Sequence, residues 1–225
     1  MPKIGECADH PQVPNFGTEE IVVLLVVALL PFIALVPLTG GSIRQFADLR
    51  LRWTPLLFGA LALAVVVTTL FPAGDRDVHR ALNYLAYLAA IVVLARNRAV
   101  PGLRTIAVGT VGNMVAIAAN RGVMPASVSA LRLAGLPVSD RGFLSSNVVA
   151  HPTLSMLGDI FAVPKWVPFA NVFSIGDVLI VAGAAWAILA IGQSWLALPR
   201  LSRRPTRREK PTRAVEGEPT NTTLV

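Results

Sequence analysis

Five stretches of the chain, 21–38, 54–71, 81–95, 103–119 and 178–198, are almost wholly apolar, and polar or charged residues gather between them. An α-helix needs about 20 apolar residues to cross roughly 30 Å of hydrocarbon. The first, second and fifth runs meet that standard. The third and fourth are shorter, but Arg80 and Arg96 flank one and Arg104 and Arg121 the other, and long basic side chains reach back to headgroups. The pattern predicts an all-α fold, a polytopic membrane protein with five transmembrane helices.

The segment 120–176 separates the last two runs and is unlike a solvated linker. It keeps Leu131, Leu133, Phe143, Leu144, Leu154, Met156, Leu157, Ile160, Phe161, Trp166 and Phe169, while Pro125, Pro137, Pro152, Pro164 and Pro168 cut it into pieces too short to cross a bilayer. Residues 125–136 suit a short helix, with Ser127 and Ser129 as capping hydroxyls. Residues 152–163 suit a second, because Thr153, Leu154, Leu157, Ile160 and Phe161 share a helical face. The expectation is an extracytoplasmic lid of short interfacial helices, and a structured loop of this length is usually functional.

Composition agrees with a lipid environment: 54% of residues are hydrophobic and 15% charged, and the mean hydropathy is +0.61, far from a soluble domain's balance. The net charge of +7 first suggests nucleic acid, but seven basic residues lie in the tail between Arg200 and Arg213, broken by Pro205 and Pro211 and without interleaved aromatics. No nucleic acid is expected. The tail, 199–225, is read as disordered, cytoplasmic and held near anionic lipid. Arg44, Arg50, Arg52, Arg96, Arg98 and Arg104 mark the other cytoplasmic hinges. Glu6, Asp9, Glu19 and Glu20 put the N-terminal arm, 1–20, outside with the long loop. The localisation expected is therefore the inner (plasma) membrane. Cys7 is a single thiol with no internal partner.

Small and polar residues inside the runs are the next signal. Gly109, Gly112, Asn113, Ala116 and Asn120 recur at steps of three and four, one stripe of a helix that packs closely on a neighbour. Gly183 and Ala187 form a similar contact in the last run. Asn113, Asn120 and Tyr87, with Asn83 and Tyr84 beside the tyrosine, are the candidates for lining a ligand site, although buried amides more often join helices. No ionisable residue falls in the middle of a run, which argues against an ion pump.

The strongest constellation for chemistry is His151, Asp159 and Asp177. Two carboxylates and an imidazole can hold a divalent metal that acidifies water, but the spacing is that of loops, with no helical His pair. The structural reading is preferred: Asp177 at the start of the last run would accept bonds from free N–H groups, Asp159 would pair with a cation, and His151 before Pro152 would be a turn residue. Asp75, Asp77 and His79 form a second cluster, read as a solvated hinge. No phosphate loop, dinucleotide turn, nucleophile elbow or paired-cysteine site is present. No cofactor is expected.

Several of these stretches together resemble a known family. They are Gly112-Asn113, the run Ala119-Asn120-Arg121-Gly122-Val123-Met124-Pro125-Ala126-Ser127, His151 to Thr153, Leu157-Gly158-Asp159-Ile160 and Asn171 to Ile180, with Gly40-Gly41 and Leu49 to Trp53 upstream. Over most of residues 20–198 the chain is similar to a bacterial membrane family catalogued as domain of unknown function five-three-one-seven. The resemblance implies a fold and no activity. The function expected is that of a noncatalytic membrane protein that engages lipid, a protein partner or a second copy of itself. The alternatives are a small-molecule or lipid transporter and a metal-dependent hydrolase at the outer surface.

Overall fold

The computed structural model of the chain describes residues 18–56, 58–59, 62, 76–138, 146–147, 149 and 151–197. The arm with Cys7, most of the run 54–71, Asp75, the side chain of His79, Phe143, Leu144 and the basic tail lie outside the described residues. Helices form at α1 (Thr18–Leu38), α2 (Arg76–Arg96), α3 (Leu103–Ala119), α4 (Val128–Ala134) and α5 (Ile175–Ile191). Residues 54–56, 58–59 and 62 are helical as well. The strands are β1 (Met124–Pro125), β2 (Ser146–Asn147), β3 (Asp159–Val163) and β4 (Asn171–Ser174).

This arrangement corrects the five-span, all-α expectation. Among the described residues no helix is long and apolar enough to cross a membrane. For α2, α3 and α5 the reason lies in the helix itself. α3 and α5 have 17 residues each, about 25 Å of helix. α2 opens on Arg76 and Asp77 and carries Arg80 and Arg96, so its apolar stretch is shorter than the helix.

The helical lid is corrected too. Residues 128–134 are helical, but Ser127, in the N-cap position, makes no capping bond, and its hydroxyl lies 2.7 Å from that of Ser129. The second expected helix, 152–163, is a 3-10 turn over Ser155–Leu157 followed by β3. β3 pairs antiparallel with β4, Phe161 opposite Phe173, and the two rings stack at 5.4 Å. Along β4, Val172 and Ser174 are buried while Asn171 and Phe173 are only half-buried, the period of two that a strand requires. β1 and β2 pair in parallel. One apolar cluster, Ala126, Ala130, Leu131, Ala134 and Val172, joins α4 to the sheet.

The helices pack in the order α1, α5, α3, α2. α3 and α5 run antiparallel with their backbones in contact. A Cβ on Gly102 would collide with the Gly183 carbonyl, and one on Gly109 with the Gly176 carbonyl. Each side of the crossing thus offers two glycines seven residues apart: Gly176 and Gly183 within α5, and Gly109 within α3 with Gly102 at its N-cap. Gly112, assigned to the same stripe by spacing, faces open space. At one end of the row Thr39 Oγ1 and Ser194 Oγ lie 2.6 Å apart, and Ser42 N–H donates to the Gly192 carbonyl at 2.8 Å, which ties the ends of α1 and α5.

Asn97, just past α2, fastens the segment before residue 54. Its Oδ1 accepts from Arg52 N–H at 2.7 Å, and its Nδ2 donates to the Arg52 and Val93 carbonyls, both at 2.8 Å. Next to it the Arg96 guanidinium lies over the Trp53 ring, 4.9 Å from its centroid.

Candidate functional site

The polar groups of the fold converge where the C-terminus of α3 meets the N-terminus of α5. Ser174 ends β4 and caps α5: its Oγ accepts from Asp177 N–H at 3.0 Å, and Asp177 Oδ2 accepts from Ser174 N–H at 2.9 Å. The sequence Ser174-Ile175-Gly176-Asp177 is a capping box, with the carboxylate facing the positive helix end. Asn113 reaches this cap from α3 because Gly176 has no side chain to keep it away. Its Nδ2 donates to Asp177 Oδ1 at 2.7 Å, and its Oδ1 lies 2.9 Å from the Ser174 hydroxyl. That hydroxyl is also 2.8 Å from Asp177 Oδ2; it has one proton and serves one acceptor at a time.

Asn120, seven residues on, does at this end what Asn97 does at the other. Its Oδ1 accepts from Thr153 N–H at 2.9 Å, and its Nδ2 donates to the Thr153 carbonyl at 2.8 Å and the Ala116 carbonyl at 2.7 Å. One side chain therefore ends α3 and pins the segment that leads into β3. Asn120→Ala should cost about 2 kcal/mol, since it strips partners from both Thr153 backbone groups. Thermal melting checks the loss, and protease cleavage near Thr153 should quicken in parallel. An unchanged cleavage rate would mean that the segment is held by other contacts.

Tyr87 packs with Tyr84 and Leu157 around Ala116, Ile117 and Met124. Burial pushes its phenol up to about 12, and the Asp177 and Asp159 carboxylates push in the same direction. The phenol thus stays neutral and uncharged beside the two acids. Asp159 is buried at the start of β3, and its backbone carbonyl accepts from Ser127 N–H at 2.9 Å.

Of the residues proposed from sequence, the structure brings Asn113 and Asp177 into one network. It sets Asn120 one step along the same helix and Tyr87 under the electrostatic influence of both acids. His151 is exposed. Among the described residues no group of three or more His, Cys, Asp or Glu side chains is placed to hold a metal ion. Sequence reasoning missed Ser174, although the capping-box spacing ahead of an apolar run is its signal. It missed Asn97 as well, whose signal is an asparagine directly after a helix.

The arrangement locks elements together. Ser174 is fully buried, its oxygen is engaged by the Asp177 N–H, and its hydroxyl faces the Asn113 amide and the Asp177 carboxylate.

Residues 48–189 match a family of unknown function, DUF5317. The chain belongs to that family. The match takes in both asparagine clamps, the glycine crossing and the Asn113–Ser174–Asp177 network, and begins after Gly40-Gly41, which also entered the resemblance read from sequence. No curated protein and no solved structure matches the chain.

Proposed function

We propose that this protein is a noncatalytic lipid-binding protein held at a membrane, and that the Asn113–Ser174–Asp177 network is a structural lock for its helices. The observation that carries the reading is the apolar surface the helices leave uncovered. Val26, Val27, Leu30, Ile33 and Leu38 of α1 are all exposed, Leu38 by 79%. So are Leu85, Leu88 and Val92 of α2, Val108, Val111 and Val115 of α3, and Val178 and Trp186 of α5. At about 25 cal/mol per Å2 such surface strongly disfavours water, and exposed large apolar side chains on all four helices go beyond the scattered single ones that need no explanation.

Lipid is preferred over a protein partner because the exposed residues lie on both outer helices and both inner ones, whereas a partner would cover one side. Flotation of the full chain with neutral phosphatidylcholine vesicles tests the reading. The protein should rise with the vesicles and resist high salt, because apolar contact is not screened. A protein that stays monodisperse in detergent-free buffer and sinks away from the vesicles would overturn it.

A further inference from the structure

Between α2 and α3 runs an open groove of about 280 Å3, lined by Tyr84, Leu88, Met114 and Ala118. Its lining is apolar. The two helices are antiparallel, so Arg80, one turn before Tyr84, and Arg121, three residues past Ala118, stand at the same end. Arg80 is held across Gly122: a Cβ there would lie 2.6 Å from its Cγ and Nε. Asp77 pairs with Arg80 at 3.1 Å across an exposed turn, and Arg121 is exposed at a left-handed backbone position, φ 57°. The three side chains together leave one net positive charge at the mouth of an apolar channel.

We infer that this groove binds one anionic lipid, with an acyl chain along Tyr84, Leu88, Met114 and Ala118 and its charged head against Arg80 and Arg121. The inference rests on the lipid-contact reading and narrows it to a headgroup class and a place. Pockets that enclose a whole small molecule hold about 300–1,000 Å3. This smaller, open one suits a single tail whose head remains outside. Guanidinium groups present a planar fork of donors that matches a phosphate oxygen pair, and one ion pair to Asp77 does not use up the five donors of Arg80. A zwitterionic lipid such as phosphatidylcholine offers the same phosphate but neutralises it with its own ammonium, so it would gain the apolar contact and less from the two arginines.

The test uses the full chain in a nonionic detergent, with native mass spectrometry counting retained ligand. The probes are phosphatidylglycerol, phosphatidylcholine with the same tails, and glycerol 3-phosphate. Phosphatidylglycerol should be retained more tightly than phosphatidylcholine. Arg80→Gln and Arg121→Gln should each weaken it by about fivefold and together by about 25-fold, bringing the two lipids level. Ala118→Trp, which fills the groove from its exposed side, should abolish retention of both. Glycerol 3-phosphate should not bind. Melting curves of the variants, all at exposed or partly exposed positions, should match the parent.

Equal retention of the two lipids in the parent would overturn the inference. So would phosphatidylglycerol binding that survives Ala118→Trp, tight binding of glycerol 3-phosphate, or a dimer of the chain that Ala118→Trp dissolves. Flotation with neutral vesicles does not depend on the two arginines, so each of these failures is distinguishable from failure of the lipid-contact reading itself.

Discussion

Gly102→Ala should be severely damaging, costing more than about 4 kcal/mol. Two independent penalties meet there. Gly102 has φ +82°, a conformation that side-chain-bearing residues rarely adopt. Its missing Cβ is also what lets α3 approach α5: an added methyl carbon would overlap the Gly183 carbonyl and lie 2.8 Å from Ala187 N. Those are backbone atoms and cannot swing aside, so the helices would have to part along the whole crossing. Gly112→Ala on the same helix is the control. Nothing lies within 4 Å of a Cβ at that position, and alanine should stabilise the helix by up to about 1 kcal/mol. The two variants are compared by thermal melting in the same detergent. Equal melting temperatures would mean that the helices are not held by backbone contact.

The contrast between the two glycines shows where the sequence is legible. Spacing places Gly109, Gly112 and Asn113 on one stripe, and Gly109 and Asn113 do meet α5. A stripe at steps of three and four is nevertheless wider than one line of contact, and only the partner's position shows that Gly112 falls outside it. Gly102 escapes the same reading because it precedes the helix, and its role depends on Gly183, 81 residues later in the chain.

The apolar runs mark where α1, α2, α3 and α5 form, but hydropathy does not report how long and uninterrupted each helix is. Two of them stop at 17 residues, and another holds arginines near both ends. The strands were illegible for a different reason. Leu154, Leu157, Ile160 and Phe161 satisfy a helical period, and short apolar runs cannot be assigned by period alone. Pairing decides the outcome: residues 159–163 bond to β4, and the Asp159 carbonyl takes the Ser127 N–H, partners elsewhere in the sequence that a local period cannot report.

The polar lock was half legible. Two asparagines two turns apart announce that amides are buried, yet their partners are different in kind. Asn120 holds a backbone segment, and Asn113 holds a capping box. Asp177 is an acid at a helix start, and more specifically the last residue of a box that Ser174 opens, which gives both of its oxygens acceptor roles at once.

That double role makes the second large prediction a charge prediction. Asn113→Asp replaces the Nδ2 that donates to Asp177 Oδ1 at 2.7 Å with a second carboxylate oxygen. Asn113 is buried, so the two acids would face each other with little water between them, and the cost should be about 3 kcal/mol or more near neutral pH. Two carboxylates in one site share a proton, which raises the folded-state pKa of the pair above the ordinary carboxylate value. A raised carboxylate pKa gives stability that is present below the unfolded value, about 4, and is lost as the pH rises through the folded value. The variant should therefore recover relative to the parent as the pH falls towards 4.

Asp177→Asn is the matching control and should be mild. If the Asn113 amide turns over, the new Nδ2 donates to its Oδ1 and its own Nδ2 donates to Ser174 Oγ, whose proton passes to the remaining oxygen at position 177. Every donor then keeps an acceptor. Asp177→Ala cannot be rescued in this way and should cost about 1 to 3 kcal/mol. Melting temperatures of the three variants between pH 4 and 8 check the order. A pH-independent loss in Asn113→Asp would mean that water reaches the α3–α5 contact and that the lock is open.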